Sequence, residues 1–466
     1  MVASCRDEHP PGAVQQPTRP TLRHDMTQSD FPSNNSSYDA VCAALFGRLA
    51  DDTLTGRMQP VAPSLDRIRK LMSFADDPQL SYPTILVSGT NGKTTTTRMI
   101  TSLLRARGLH TGTVVSPHLE RINERVLWDG DPLSDERFAE AVSEVLRLEL
   151  LAEKDLPTFF ELMAAVAFTF FADAAIDVAV VEVGIEGKYD AHNVCEPSVS
   201  VATNVDLDHT AYLGPTRAHI AAEMASAARP DGVLVLGETD PDLIPIFRDA
   251  APGLLLLRGE DFECEDQVVA VGGRSIMLRT PLATYPEIYL PLHGAHQADN
   301  AAAALVATEA FFGEALDPDV VAEGFATVTS PGRMEVMSRR PLVLLDGAHN
   351  PAGAAALGLA LDEEFSAIDR RIAVYGTVTG RNPAVFAESL GLETFDEVLV
   401  VTPPTSRAAN AKEVAAELES VGVSARPVDS LERALNEAID AADPNDMVLV
   451  TGSLYLVGAA RTILRP

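Results

Sequence analysis

The sequence predicts an α/β protein with two sheet domains, the second smaller and Rossmann-like. Three observations carry that expectation. Short β-branched apolar runs alternate with helical stretches; one strand–helix junction carries Gly89-Thr90-Asn91-Gly92-Lys93-Thr94; and the alternation restarts after Ser330-Pro331-Gly332. Strands alternating with helices form mainly parallel sheets covered on both faces.

Residues 1–39 are polar and rich in Pro, Ser, Asn and Gln, which predicts a disordered tail. They hold no apolar core between a basic start and a small-residue cleavage site, so they do not read as a secretory signal. The first domain is expected over residues 40–330. Tyr82 to Ser88 is a buried strand by composition, ending at Gly89. From Thr94 onward Met99, Ile100, Leu103 and Leu104 recur on one helical face, with Gly108 as C-cap. Thr111 to Val115, Ile176 to Val183 and Ser198 to Thr203 read as further strands, and Glu161 to Phe171 as a helix. The second domain is expected over residues 331–466. Its predicted strands are Leu342–Leu345, Ile372–Tyr375, Val398–Val401 and Met447–Val450, and its helices Pro351–Phe365, Lys412–Glu419 and Leu431–Ala441.

Composition excludes several classes. The formal charge is −31, the opposite of the basic footprint expected for nucleic-acid binding. No apolar run reaches the roughly 18–20 residues that span a bilayer. Cys5, Cys42, Cys195 and Cys264 form no CxxC pair, which argues against a zinc site or disulfide framework and fits a reducing cytoplasm.

The loop Gly89-Thr90-Asn91-Gly92-Lys93-Thr94-Thr95 has the chemistry of a nucleotide site. Glycines let backbone N–H groups turn toward phosphate oxygens, and the helix N-terminus adds partial positive charge. Lys93 reaches the terminal phosphates and Thr94 holds Mg²⁺. The general phosphate-loop pattern wants glycine five positions before Gly92, where the chain has Val87, so this is a shortened variant. Glu182 would sit as a carboxylate in an apolar strand, Ile176 to Val183, and metal binding explains that better than an unpaired buried charge.

GTNGKT is the form this loop takes in the Mur-ligase superfamily. Six further segments follow in the order found in one branch of it. They are Ser116-Pro117-His118-Leu119 with Asn123-Glu124-Arg125; Pro157-Thr158-Phe159-Phe160-Glu161; Glu182-Val183-Gly184 with Asp190 and Asn193; Asp208-His209 with Leu213-Gly214; His293-Gly294 with His296-Gln297 and Asn300; and Pro331-Gly332-Arg333 with Asp346-Gly347-Ala348-His349-Asn350-Pro351. From about Ser64 to the C-terminus the chain thus resembles the bifunctional dihydrofolate synthase/folylpolyglutamate synthase family. The resemblance implies a phosphate-loop-containing, Mur-ligase-like central domain and a C-terminal glutamate-ligase domain. It implies a monomer that uses ATP, L-glutamate and a pterin or folate acceptor, and that forms an amide through an acyl phosphate.

Carried over by residue, the resemblance assigns catalytic roles to Lys93, His209, Arg333 and His349. Asn300, Arg333 and Asp346 would join the loop in binding the nucleotide. Thr94, Ser116, Glu182 and His209 would hold Mg²⁺. Phe159, Phe160, Glu161, Tyr189 and Asp190 would line the pterin region, with His349 toward the glutamate.

Three departures fall on the acceptor and second-metal side. Glu186, Lys188 and His192 replace a glycine, an arginine and a threonine of the family pattern. Met224 stands where the family has a lysine that is carbamylated to bridge magnesium. Gly376-Thr377-Val378-Thr379-Gly380-Arg381-Asn382 replaces a G-x-x-x-DKD segment. Alternatives are therefore a related ligase with a non-folate carboxylate acceptor and a non-catalytic nucleotide-binding relative. A phosphate-loop motor or GTPase is disfavoured by the second Rossmann-like unit and the lack of a guanine motif.

Overall fold

The computed structural model describes residues 37–54, 64–152, 156–185 and 187–465. The expected tail lies outside these residues up to position 36, and Tyr38 and Asp39 instead open the helix Tyr38–Leu54. Glu186 also lies outside the described residues.

The first sheet has eight strands: β1 (Thr84–Ser88), β2 (Thr111–Val114), β3 (Val126–Trp128), β4 (Asp131–Pro132), β5 (Val178–Glu182), β6 (Pro197–Ala202), β7 (Val233–Leu236) and β8 (Leu254–Leu257). Their order is β4-β3-β2-β5-β1-β6-β7-β8. All neighbours run parallel except the β2–β3 and β3–β4 pairs at one edge. Every residue of β1 and β5 is buried, as a strand covered on both faces must be. Alternate residues serve two cores. Ile85, Val87, Val178 and Val180 pack under the helices Lys93–Ala106 and His296–Phe312. Leu86, Ala179 and Val181 pack against the helix Phe159–Asp173 on the opposite face.

A second sheet of three antiparallel strands, β9 (Glu263–Ala270), β10 (Gly273–Arg279) and β11 (Thr284–Leu290), was not anticipated. Its signal was the Gly272-Gly273 turn between β-branched runs, where Gly272 has φ +77. The third sheet joins β12 (Glu335–Arg339), β13 (Leu342–Leu345), β14 (Arg371–Tyr375), β15 (Glu397–Val400), β16 (Ala425–Pro427) and β17 (Met447–Thr451) in the order β12-β13-β17-β14-β15-β16. Only β12 pairs antiparallel. The four predicted strands are present within about a residue of their expected bounds, a normal margin for element ends. The edge strands β12 and β16 carry half-exposed or polar residues and left no buried-strand signal.

One ionic cluster ties the second sheet to the third sheet's helices. Arg274 on β10 donates to Glu363 and Glu364, at the end of the helix Pro351–Glu364. His293 Nδ1 lies 2.5 Å from Glu364 Oε2, and the Gly294 N–H donates to Glu364 Oε1 at 2.7 Å. This anchors the loop that feeds the helix His296–Phe312. Among the described residues no helix is long and apolar enough to cross a membrane, and Cys42, Cys195 and Cys264 are free.

Candidate active site

The glycine loop sits where β1 ends beside β6, at the carboxyl edge of a parallel sheet, the usual place for a ligand site in such folds. Close approach explains both loop glycines. A Cβ on Gly89 would fall 1.8 Å from Thr203 Oγ1, and one on Gly92 2.4 Å from Asn300 Oδ1. Both have positive φ, and Gly92 caps the helix Lys93–Ala106. The loop is pinned to the chain after β6. The Thr90 N–H donates to Asn204 O at 3.0 Å, the Asn91 N–H to Asn204 Oδ1 at 2.8 Å, and Thr203 Oγ1 to Asn91 O at 2.6 Å. Lys93 Nζ folds back over the loop carbonyls of Gly89 and Thr90.

Behind the loop, Glu182 at the end of β5 is 1% exposed. Thr94 Oγ1 donates to its Oε1 at 2.9 Å and the Ser116 N–H to its Oε2 at 3.1 Å. Burial raises its pKa; Lys93, these hydrogen bonds and Arg333 oppose that rise. A buried carboxylate bonded by the Thr94 hydroxyl, with Ser116 lining the same cavity, offers hard oxygen donors of the kind that suit Mg²⁺. Among the described residues no three His, Cys, Asp or Glu side chains cluster as a metal cage, and a cation here would need hydroxyl oxygens such as that of Thr94 beside Glu182.

His209 lines the same cavity, in the left-handed backbone region at φ +49. Burial pushes its pKa down to about 4; Asp208 opposes this, while Lys93, Arg381 and His349 add to it. It is therefore a neutral imidazole at pH 7. Met224 turns away from this cavity into an apolar cluster with Leu213, Ile220 and Phe247.

Residues of the third sheet's domain close the cavity from the other side. Asp346, just after β13, accepts from the Met334 and Ala348 N–H groups at 2.9 and 2.8 Å, and Arg333 and His349 line the cavity beside it. His349 Nδ1 lies 2.8 Å from Gly347 O, and Nε2 3.5 Å from Asp208. Asn350 donates to Asn91 Oδ1 at 3.0 Å and to Asp208 Oδ2 at 3.1 Å. Arg381, in the departed segment, reaches Asp208 Oδ1 at 2.6 Å. Burial raises the Asp208 pKa, but His349, His209 and Arg381 outweigh it and hold the carboxyl far below its ordinary range. The cavity so enclosed is about 250 Å³ and also receives Asn300 and Thr95, whose hydroxyl pairs with Ser330.

A second cavity of about 410 Å³ adjoins the first, and Ser116 and Gly184 line both. Phe160, Glu161, Tyr189 and Asp190 all line it. Phe159 does not: its ring is 1% exposed and belongs to the core, because it opens the helix on the face turned toward the sheet. Glu161 is already engaged, capping its own helix through the Thr158 N–H at 2.7 Å and pairing with Arg67 at 3.0 Å. Asp190 braces the loop, accepting from the Gly184 and Ile185 N–H groups, each at 3.0 Å, and from the His192 N–H at 2.9 Å; His192 Nδ1 lies 2.8 Å from the same carboxylate. Sequence reasoning missed Asn350 and Arg381, and gave Arg125 no role although its motif was recognised.

Two family models match: the Mur ligase middle domain over residues 87–308, and the Mur ligase glutamate ligase domain over residues 332–454. The dihydrofolate synthase/folylpolyglutamate synthase of Mycobacterium tuberculosis is 39% identical over 442 residues, covering 86% of this chain and 90% of that one. The chain belongs to the dihydrofolate synthase/folylpolyglutamate synthase family. Among solved structures, Mycobacterium tuberculosis folylpolyglutamate synthase complexed with ADP superposes with a TM-score of 0.84 at 37% identity, covering 91% of this chain and 99% of that one. A bifunctional folylpolyglutamate synthase/dihydrofolate synthase with Mn, AMPPNP and L-glutamate bound gives 0.79 at 27% identity, covering 93% and 99%. The family membership bears out the expected fold class: a nucleotide-loop Mur-ligase domain and a C-terminal glutamate-ligase domain.

Proposed function

We propose that the chain is an ATP-dependent, ADP-forming ligase that joins L-glutamate to dihydropteroate or reduced folates. What carries this reading is the meeting of two cavities at Ser116 and Gly184, one built on the phosphate loop and the other on apolar and aromatic side chains. A carboxylate held in the larger cavity would face the γ-phosphate at that junction.

A carboxylate oxygen attacks the γ-phosphorus, the bond to the β,γ-bridging oxygen breaks, and ADP leaves with the electron pair. The amine of glutamate then adds to the carbonyl of the acyl phosphate. The tetrahedral intermediate collapses, the C–O bond to phosphate breaks, and phosphate leaves with the proton that the nitrogen gives up as the amide forms. Charge gathers on phosphoryl oxygens in both steps, so fixed cations and dipoles matter more than a protein nucleophile. The loop N–H groups and Lys93 bind the phosphates, with Gly89, Thr90, Asn91, Gly92, Thr94 and Thr95 forming the cradle. Asn300, Arg333 and Asp346 complete the nucleotide side. Thr94, Ser116 and Glu182 would hold Mg²⁺, which supplies charge neutralisation on the phosphoryl oxygens. His209 is available to a second cation, without help from Met224. His349 is placed toward the glutamate, and Phe160, Glu161, Tyr189 and Asp190 toward the acceptor. The site acts on small molecules in a cytoplasmic monomer, with no nucleic acid or membrane involved.

His192, which lines the larger cavity, favours one second reading, a different carboxylate acceptor in the same cavity. Phosphate release from Mg-ATP and L-glutamate, compared with dihydropteroate, reduced folates and no acceptor, separates the two. Release dependent on glutamate and on a pteroate supports the proposal. ATP binding without release for any folate refutes it.

A further inference from the structure

We propose that Arg125 receives the carboxylate that the acceptor presents for phosphorylation. This rests on the ligase reading above and adds to it the residue that delivers the reacting group.

Arg125 is 9% exposed and lines the larger cavity, which meets the nucleotide cavity at Ser116. Its position is fixed on three sides. The Val115 N–H donates to its backbone carbonyl at 3.1 Å, its Nε–H donates to His118 Nδ1 at 3.0 Å, and its guanidinium carbon lies 5.5 Å from the Phe159 ring centroid. None of these partners carries negative charge. Burial, reinforced by Arg125 itself, pushes the His118 pKa down to about 3, so the ring is a neutral acceptor. Burial also pulls the Arg125 pKa down to about 10, which leaves it charged at pH 7.

Three other arginines of this region are paired with carboxylates. Arg67, on the same cavity, pairs with Glu161 at 3.0 Å; Arg121 pairs with Asp135 at 2.8 Å; Arg461 pairs with Glu335 at 2.8 Å. Arg125 has no carboxylate within ion-pair distance among the described residues, and its two terminal nitrogens are left for the cavity. A buried cation without a counter-ion is costly unless something else supplies the anion. A planar guanidinium offers two parallel N–H groups, the shape that matches a carboxylate. Arg125 and Ser116 line the same cavity, and Ser116 also lines the nucleotide cavity, so a carboxylate held on Arg125 lies toward the junction where the γ-phosphate would arrive. Binding there also offsets the repulsion between two anions that must react.

The test is calorimetric titration of the full chain, with ADP present, using dihydropteroate and its carboxamide, which differ only in that charge. Wild type is expected to favour the carboxylate at least tenfold. Arg125→Gln should bind both about equally with ADP affinity unchanged. Arg125→Lys, which keeps charge but not the paired donors, should retain a smaller preference. If Arg125→Gln loses ADP binding through misfolding, the lysine variant carries the test, and an unchanged preference there overturns the proposal. A wild-type preference surviving in Arg125→Gln overturns it as well, as does loss of both ligands with ADP binding intact, which would mean that Arg125 only shapes the pocket. Wild type that binds neither pteroate refutes the folate acceptor reading together with this proposal.

Discussion

The Arg274 cluster offers a controlled comparison, because two carboxylates on one arginine differ in burial. Arg274 and Glu364 are each 1% exposed, whereas Glu363 is 45% exposed. Glu364 accepts from Arg274 Nη1 at 2.6 Å and from the Gly294 N–H at 2.7 Å, and faces His293 Nδ1 at 2.5 Å. Glu364→Ala strands a buried cation and two other donors. Breaking a buried pair costs about 3–5 kcal/mol, and the lower end applies because Glu363 still faces Arg274 through two bonds of 3.0 Å, so about 3 kcal/mol is expected. Glu363→Ala removes a half-exposed partner and should cost under about 1 kcal/mol. Urea unfolding of the two variants measures the difference. The pH dependence has a definite sign. Burial pushes the Glu364 carboxyl up, but bonds from His293, Gly294 and Arg274 outweigh it and lower its pKa. Its contribution is therefore present above the ordinary carboxylate range, about pH 4.5, and lost as pH falls through the depressed native value. The gap between wild type and Glu364→Ala should narrow on acidification. Equal costs for the two variants would refute the reasoning. Because His293 and Gly294 lead into the helix bearing Asn300, Glu364→Ala should also weaken ADP binding.

Other outcomes follow from the same geometry. Glu182→Gln should cut turnover by about a thousandfold while ADP still binds, since it removes the buried carboxylate that faces Thr94 and Ser116; steady-state phosphate release across a magnesium titration checks this. Met224→Lys restores the family residue but buries an ammonium among Leu213, Ile220 and Phe247, so it should lose about 3 kcal/mol in unfolding experiments; equal stability with a lower magnesium requirement would contradict this. Arg381→Ala should lower kcat/KM for glutamate about tenfold. Arg381 is a quarter exposed, which discounts a buried pair to about 1–2 kcal/mol, and a double-mutant cycle with Asp208→Asn should recover most of it as coupling.

Much of the fold was legible because it is written in local pattern. β-Branched runs buried on both faces can only be interior strands, and the 3.6-residue recurrence of Met99, Ile100, Leu103 and Leu104 needs no distant partner to be read. The nucleotide loop was legible for the same reason: its glycines, lysine and threonine act within six consecutive residues. The polar edge strands β12 and β16 gave no such pattern, and the Gly272-Gly273 hairpin was a signal passed over.

What only tertiary structure decided are matters of neighbours far apart in the chain. Phe159 and Phe160 are adjacent and alike in sequence, yet one is core and the other lines a cavity, because helix geometry turns successive side chains about 100° apart. Met224 looked like a damaged metal site and is an apolar contact. Arg381 looked like a broken motif and grips Asp208, 173 positions away. Arg125 was a letter in a motif until burial without a counter-ion gave it a task. A residue's type fixes what charge and hydrogen bonds it can offer, but desolvation and pairing set what it does, and both are properties of the folded surroundings.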